Sequence, residues 1–173
     1  MAVPLPTTGR KVRRRYLAYL IHRPWLARAR RSNALRAYLD SKGYITPHFT
    51  WKSYACTDGT PVPAHLRGNA IRFHWKLEEM RHALGDKPMT VDGPYRTPAR
   101  NRAVGGAGNS RHTYADAGDF YAAQVATWGS RAHVLDVAYR IFRDGGVGNE
   151  TSGTLHLDAR GYKARFVTWV AGG

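Results

Sequence analysis

At 173 residues and 19.4 kDa the chain has room for one core of ordinary size, which predicts one domain plus an extension. Its 43% hydrophobic and 12% aromatic content excludes wholesale disorder. Lys and Arg number 27 against 12 Asp and Glu, a net charge of +15 and a pI near 10.5, which predicts a polyanionic neighbour: nucleic acid, an anionic membrane or an acidic cell-wall polymer. The single cysteine, Cys56, excludes a disulfide framework within the chain and any Cys-rich zinc site, so a metal here needs His and carboxylate ligands.

The charge is concentrated at the start. Residues 1–43 carry 11 Lys or Arg and one acid, Asp40, leaving 16 basic against 11 acidic residues for 44–173. This step divides the chain into a basic N-terminal extension, 1–43, and a body, 44–173. In the extension, Leu17, Leu20 and Ile21 precede Pro24. Trp25, Leu26, Ala29, Leu35, Tyr38 and Leu39 follow at mostly helical spacing up to Gly43, so two basic amphipathic helices are expected. Their apolar faces can pack on the body while their Arg faces meet solvent or a polyanion. The longest early apolar run, Tyr16 to Ile21, is too short for a spanning helix or the apolar region of an export signal. No signal peptide and no transmembrane segment are therefore expected, and a substrate outside the membrane would be reached through lysis, a pore or packaging in a particle.

From Tyr44 the pattern becomes loop-rich, with Pro47, Gly59, Pro61 and Pro63 around the aromatic residues Phe49, Trp51 and Tyr54, which are expected in the core. Leu66, Ala70, Phe73, Leu77 and Leu84 share one face of a helix over 65–84 that Gly85 stops. A short strand is expected at 89–92, a turn at Gly93 and Pro94, a helical piece at 98–104 and a Gly-rich loop at 105–109. Val134, Leu135, Ala138 and Phe142 mark a helix from Trp128 or Ser130 to Phe142, and 154–158 and 165–170 read as strands. Helices early and strands late give an α+β class, a small antiparallel sheet with flanking helices.

The densest group of potential ligands is His112 to Asp119, followed 37 residues later by His156 and then Asp158. Zn²⁺ accepts imidazole nitrogen and carboxylate oxygen, and three protein ligands leave a fourth position for water, so a His, Asp, His set has suitable chemistry. Ordinary polar residues would give the same spacing by chance in a chain with eight histidines. On a strand, His156 and Asp158 project to one face, with Leu155 and Leu157 toward the core. Asp158 there could orient a ligand imidazole, take a proton from water, or pair with Arg160.

The run GPYRTPARNRAVGGAGNSRHTYADAGDF, Gly93 to Phe120, resembles the signature of the M15 zinc D-alanyl-D-alanine peptidases, matching it at Tyr95, Arg96, Thr97, Pro98, Asn101, Gly105, Gly106, Ser110, His112, Ala117 and Asp119. The later run GGVGNETSGTLHLDAR resembles the family's ending at Gly145 to Gly148, Ser152, Gly153, His156 and Asp158. Segment 47–56 is also similar, so the resemblance covers about residues 44–170 and is nearest to phage lysins and cell-wall endopeptidases. It implies the Hedgehog/D-alanyl-D-alanine peptidase fold. It also implies one Zn²⁺ per chain held by His112, Asp119 and His156, with Arg96 binding substrate and steadying the oxyanion, and Ser110 near the substrate or shaping the loop. Ala115 stands where the family has Gly, Asp116 where a neutral residue is common, and Gly153 where several relatives carry a Glu or Asp as general base. The proton acceptor is therefore sought, in order, at Asp158, Glu150 and Asp116.

These features together predict a monomeric zinc metallopeptidase, a carboxypeptidase or endopeptidase acting on peptidoglycan peptides. The basic extension would hold it to anionic wall polymers in an endolysin or virion-associated bacteriophage setting. Two other classes fit less of the sequence: a catalytically silent zinc-containing wall-binding or virion protein, and a basic nucleic-acid-binding module.

Overall fold

The computed structural model describes residues 32–161. The helix expected around Leu17 and the strand expected at 165–170 lie outside them. Helix α1 (Asn33–Ser41) starts at Ser32, whose hydroxyl oxygen accepts the Leu35 N–H, so the helix expected from Trp25 onward has its described start here. The loop-rich segment holds more order than its prolines suggest. Strand β1 (Tyr44–Thr46) pairs antiparallel with β2 (Phe49–Thr50), and the short helix α2 (Trp51–Tyr54) is capped by Thr50. Strands this short carry no alternation that periodicity could detect.

Helix α3 (Arg67–Ala83), led in by a 3-10 turn at Ala64–Leu66, is the central element and falls within the helix expected at 65–84. It is buried on more sides than its apolar stripe implies. Ala70, Phe73, Leu77 and Met80 enter the main core, while Trp75 packs with Leu35 and Leu39 of α1. Its buried polar residues close neighbouring elements. Glu78 accepts from Thr46 Oγ1 and His48 N at 2.9 Å each, pinning the β1–β2 turn, and Lys76 donates to the Ile141 carbonyl at 2.7 Å and pairs with Asp144.

Next come α4 (Pro98–Ala103), with Thr97 as N-cap and Pro98 at its first position, and a 3-10 turn at Arg111–Tyr114. Strand β3 (Ala117–Phe120), α5 (Ala122–Ala126) and α6 (Arg131–Ile141), capped by Ser130, follow. The strand expected at 89–92 does not form. The pairing falls one residue later, at an isolated bridge between Gly93 and Asp119, because Asp92 N and Gly93 N both donate to the Asp119 carbonyl. Strands β4 (Gly146–Asn149) and β5 (Leu155–Asp158) complete a three-stranded antiparallel sheet ordered β3-β5-β4. The described chain thus mixes helices with two small antiparallel sheets. Leu155 and Leu157 turn into the core from the central strand, as period-two alternation requires. Tyr54 is fully buried and donates its hydroxyl to the Ala117 carbonyl at 2.7 Å, which ties α2 to the strand that carries the site.

Candidate metal centre

In the β3–β5 register Asp119 faces His156 and Ala117 faces Asp158. Directly opposed residues of an antiparallel pair project to the same face, so Asp119 and His156 converge away from the leucines that fill the core. His112 arrives from the 3-10 turn. Its Nδ1–H donates to the Pro94 carbonyl at 3.0 Å, which fixes the tautomer and directs Nε2 to Asp119 Oδ1 at 3.3 Å. His156 Nδ1 lies 2.8 Å from the same oxygen, and the two imidazoles are 5.2 Å apart between centroids.

One nitrogen from each histidine and one carboxylate oxygen lie within 4.8 Å of one another. Bonds of about 2.0–2.2 Å in a tetrahedral arrangement set ligand atoms roughly 3.3–3.5 Å apart, so this donor set fits zinc in chemistry and in spacing. Glycine makes the approach possible. A Cβ at Gly93 would stand 2.8 Å from Asp119 Cβ, closer than side chains tolerate.

Arg96 Nη2 donates to Asp119 Oδ2 at 3.0 Å, leaving Oδ1 as the oxygen shared by the histidines, and Arg96 N donates to the His112 carbonyl. Burial works against the Asp119 anion, but hydrogen bonds from both histidines and their charge hold its carboxyl well below the usual carboxylate range. Burial likewise opposes protonation of His156. The carboxylates of Asp119 and Asp158 outweigh it and raise the imidazole to about 9. Both shifts express one fact: this pocket stabilises positive charge between its acids.

Asp158 is fully buried. It accepts from Arg160 Nε at 2.7 Å and Nη2 at 2.5 Å, and its Oδ2 lies 3.6 Å from His156 Nε2, the nitrogen turned away from Asp119. Despite burial, His156 and Arg160 hold its carboxyl below the ordinary range. A Cβ at Gly146 would stand 2.9 Å from Asp158 Cγ, so the neighbouring strand needs glycine there too.

These residues line a cleft of about 470 Å³ together with Arg96, Ser110, Arg111, Glu150 and Arg160. Glu150, in the β4–β5 turn, accepts from Ser152 Oγ at 3.2 Å and makes no ion pair among the described residues. Ser110 shapes the turn before His112: its carbonyl accepts Thr113 Oγ1 at 2.7 Å. Asp116 is buried behind the cleft, not on its wall, held by Arg111. Arg111, Gly93, Gly146 and the Pro94 carbonyl went unnoticed as site-builders in the sequence. Only Gly93 and Gly146 left a trace there, as glycines inside the matched motifs.

The chain is 54% identical over 61 residues to the zinc D-Ala-D-Ala carboxypeptidase of Streptomyces albus G, a match spanning 35% of this chain and 24% of that protein. The peptidase M15 profile matches residues 34–158, a stretch that contains every residue of the metal centre. The chain belongs to the peptidase M15 family.

Proposed function

We propose that this protein is a zinc-dependent peptidase that hydrolyses amide bonds of peptidoglycan peptides on a Hedgehog/D-alanyl-D-alanine peptidase fold. The observation that carries the reading is the convergence of His112 Nε2, Asp119 Oδ1 and His156 Nδ1 in a cleft that stabilises positive charge. The name of the Streptomyces relative supports the substrate class.

Bound by these three atoms, zinc would supply Lewis acidity toward a carbonyl oxygen and toward water. The chain's own residues do the rest. Arg96, anchored on Asp119 and a quarter exposed, turns its remaining N–H groups toward the substrate carbonyl and steadies the oxyanion as charge develops. Asp158 holds His156 in the tautomer that offers Nδ1, a positioning role suited to a carboxylate already engaged by Arg160. Glu150 carries the proton from the attacking water to the departing amine, since among the described residues it is the cleft carboxylate that neither touches a candidate ligand nor pairs with an arginine. Ser110 shapes the wall on which the peptide lies.

The basic residues 1–43 hold the enzyme to anionic wall polymers, and a lytic bacteriophage setting suits that arrangement. The test is to load the purified chain with zinc, count the metal, and incubate it with peptides ending in D-Ala-D-Ala and with cross-linked muropeptides, with and without chelator. About one zinc per chain and chelator-sensitive hydrolysis are expected. Full activity in metal-free protein would remove the reading.

A further inference from the structure

Arg111 lies on the cleft wall next to His112, yet it is bonded to none of the candidate metal ligands. Its Nε donates to Asp116 Oδ1 at 3.0 Å, its Nη2 donates to Asp116 Oδ2, and its guanidinium lies 4.4 Å over the Tyr114 ring. Among the described residues its Nη1 edge has no hydrogen-bond partner. Asp116 is fully buried, and its Oδ2 is also 3.6 Å from Arg72 Nη2, which faces it from α3. One buried carboxylate thus serves two guanidiniums, leaving a net positive cluster whose cleft-facing member is Arg111. The other two cleft arginines pair with acids that line the cleft themselves, Arg96 with Asp119 and Arg160 with Asp158.

Burying an ion pair is costly, and an apolar pair of similar volume packs as well where only structure is needed. What the pair adds is a guanidinium clamped on one edge and one face, in a residue that lines the cleft. Such a group loses little freedom on binding an anion, and its planar fork matches a carboxylate. Arg96 is tied to Asp119 and therefore serves the carbonyl at the metal. On the reading given above, on which this inference rests, a second fixed cation on the same wall meets a second anionic group of the peptide.

We infer that Arg111 is a specificity-determining residue that takes the free carboxylate of the residue released, so that the cleft favours peptides ending in a carboxylate over chains continuing past the scissile bond.

The test compares diacetyl-L-Lys-D-Ala-D-Ala with its C-terminal amide, using the full zinc-loaded chain. The carboxylate peptide is expected to be cleaved with kcat/KM about 10- to 100-fold higher, the range for one charged hydrogen-bonded contact. In Arg111→Met with Asp116→Asn, which leaves no unpaired buried anion, the preference falls to within about threefold while zinc content and activity on the amide persist. Arg111→Lys keeps the charge and loses the fork, so it gives an intermediate preference carried by KM and serves if the double variant does not fold. Equal cleavage of the two peptides by the parent chain overturns the inference and leaves the peptidase reading intact, as does a preference that survives in both variants. Hydrolysis of neither peptide, or of any muropeptide, by zinc-loaded protein removes both.

Discussion

Asp119 and His156 stand opposite each other across β3 and β5, and Asp119 Oδ1 meets His156 Nδ1 at 2.8 Å. Their register places the 36 residues of intervening chain in the service of one contact. Because a slip of one residue would send either side chain into the core, the leucines of β5 hold the candidate metal centre in place as surely as the candidate ligands do.

Removing a ligand should therefore empty the site without unfolding the protein. In His112→Ala or Asp119→Ala, zinc content measured by atomic emission is expected to fall from about one per chain to near zero, with hydrolysis lost and the far-UV circular dichroism retained. Stoichiometric zinc in Asp119→Ala would contradict the ligand assignment.

Asp158 and Glu150 separate by readout. Asp158→Asn loosens the imidazole it orients, so zinc affinity should drop about 10- to 100-fold in a competition titration with a chromogenic chelator. Glu150→Gln should retain zinc and lose about 10²- to 10⁴-fold in kcat. If Glu150→Gln turns over at the parent rate, the proton is carried elsewhere.

Gly93→Ala tests how closely the bridge strand approaches the site. Its methyl would meet Asp119 at Cβ, a position pinned by the sheet, so the carboxylate must shift. A stability loss of about 1–3 kcal/mol in urea unfolding is expected, along with weakened zinc binding. A variant with parent stability and affinity would show that the strand yields freely.

His74 predicts an acid-sensitive core. It is 1% exposed among Phe49, Tyr54 and Phe73, and its Nδ1–H donates to the Ala70 carbonyl at 2.8 Å. Burial lowers its pKa from 6.5 to about 4. The unfolded chain therefore takes up this proton first. The contribution is intact above about pH 6.5 and declines as pH falls toward 4, where it reaches about 3 kcal/mol of lost stability. Urea titrations of the parent chain and His74→Leu across that window should diverge by this slope; parallel curves would refute it.

Truncation tests what the basic N-terminal residues contribute. Deleting residues 1–31 leaves the Ser32 cap and α1 intact, so stability should hold while salt-sensitive binding to purified cell walls weakens. Deleting through residue 43 also strips Leu35 and Leu39 from Trp75, with an expected cost of about 3 kcal/mol or more. Unchanged wall binding by the shorter deletion would take the targeting role from the basic segment.

Local chemistry made the long elements legible. The apolar spacing in α3 and α6 needs only neighbours within one or two turns, and β5 alternates plainly. Strands β1, β2, β3 and β4 were not read from the sequence. Each is two to four residues long, and β4 is half glycine, so their pairing depends on partners distant in the chain. The strand expected at 89–92 failed for the same reason: Asp119 bonds to Asp92 and Gly93, and nothing local reveals that choice.

Residue identity by itself determined which chemistry was available: one cysteine, two histidines and an aspartate within recognisable motifs, and a surplus of arginine. Only the tertiary structure decided where those groups stand relative to one another. It buried Asp158 against Arg160, left Glu150 on the cleft with no ion pair among the described residues, and put Asp116 behind Arg111. Such assignments depend on burial and on distances across the fold, quantities that arise when separate segments pack and that no single stretch of sequence contains.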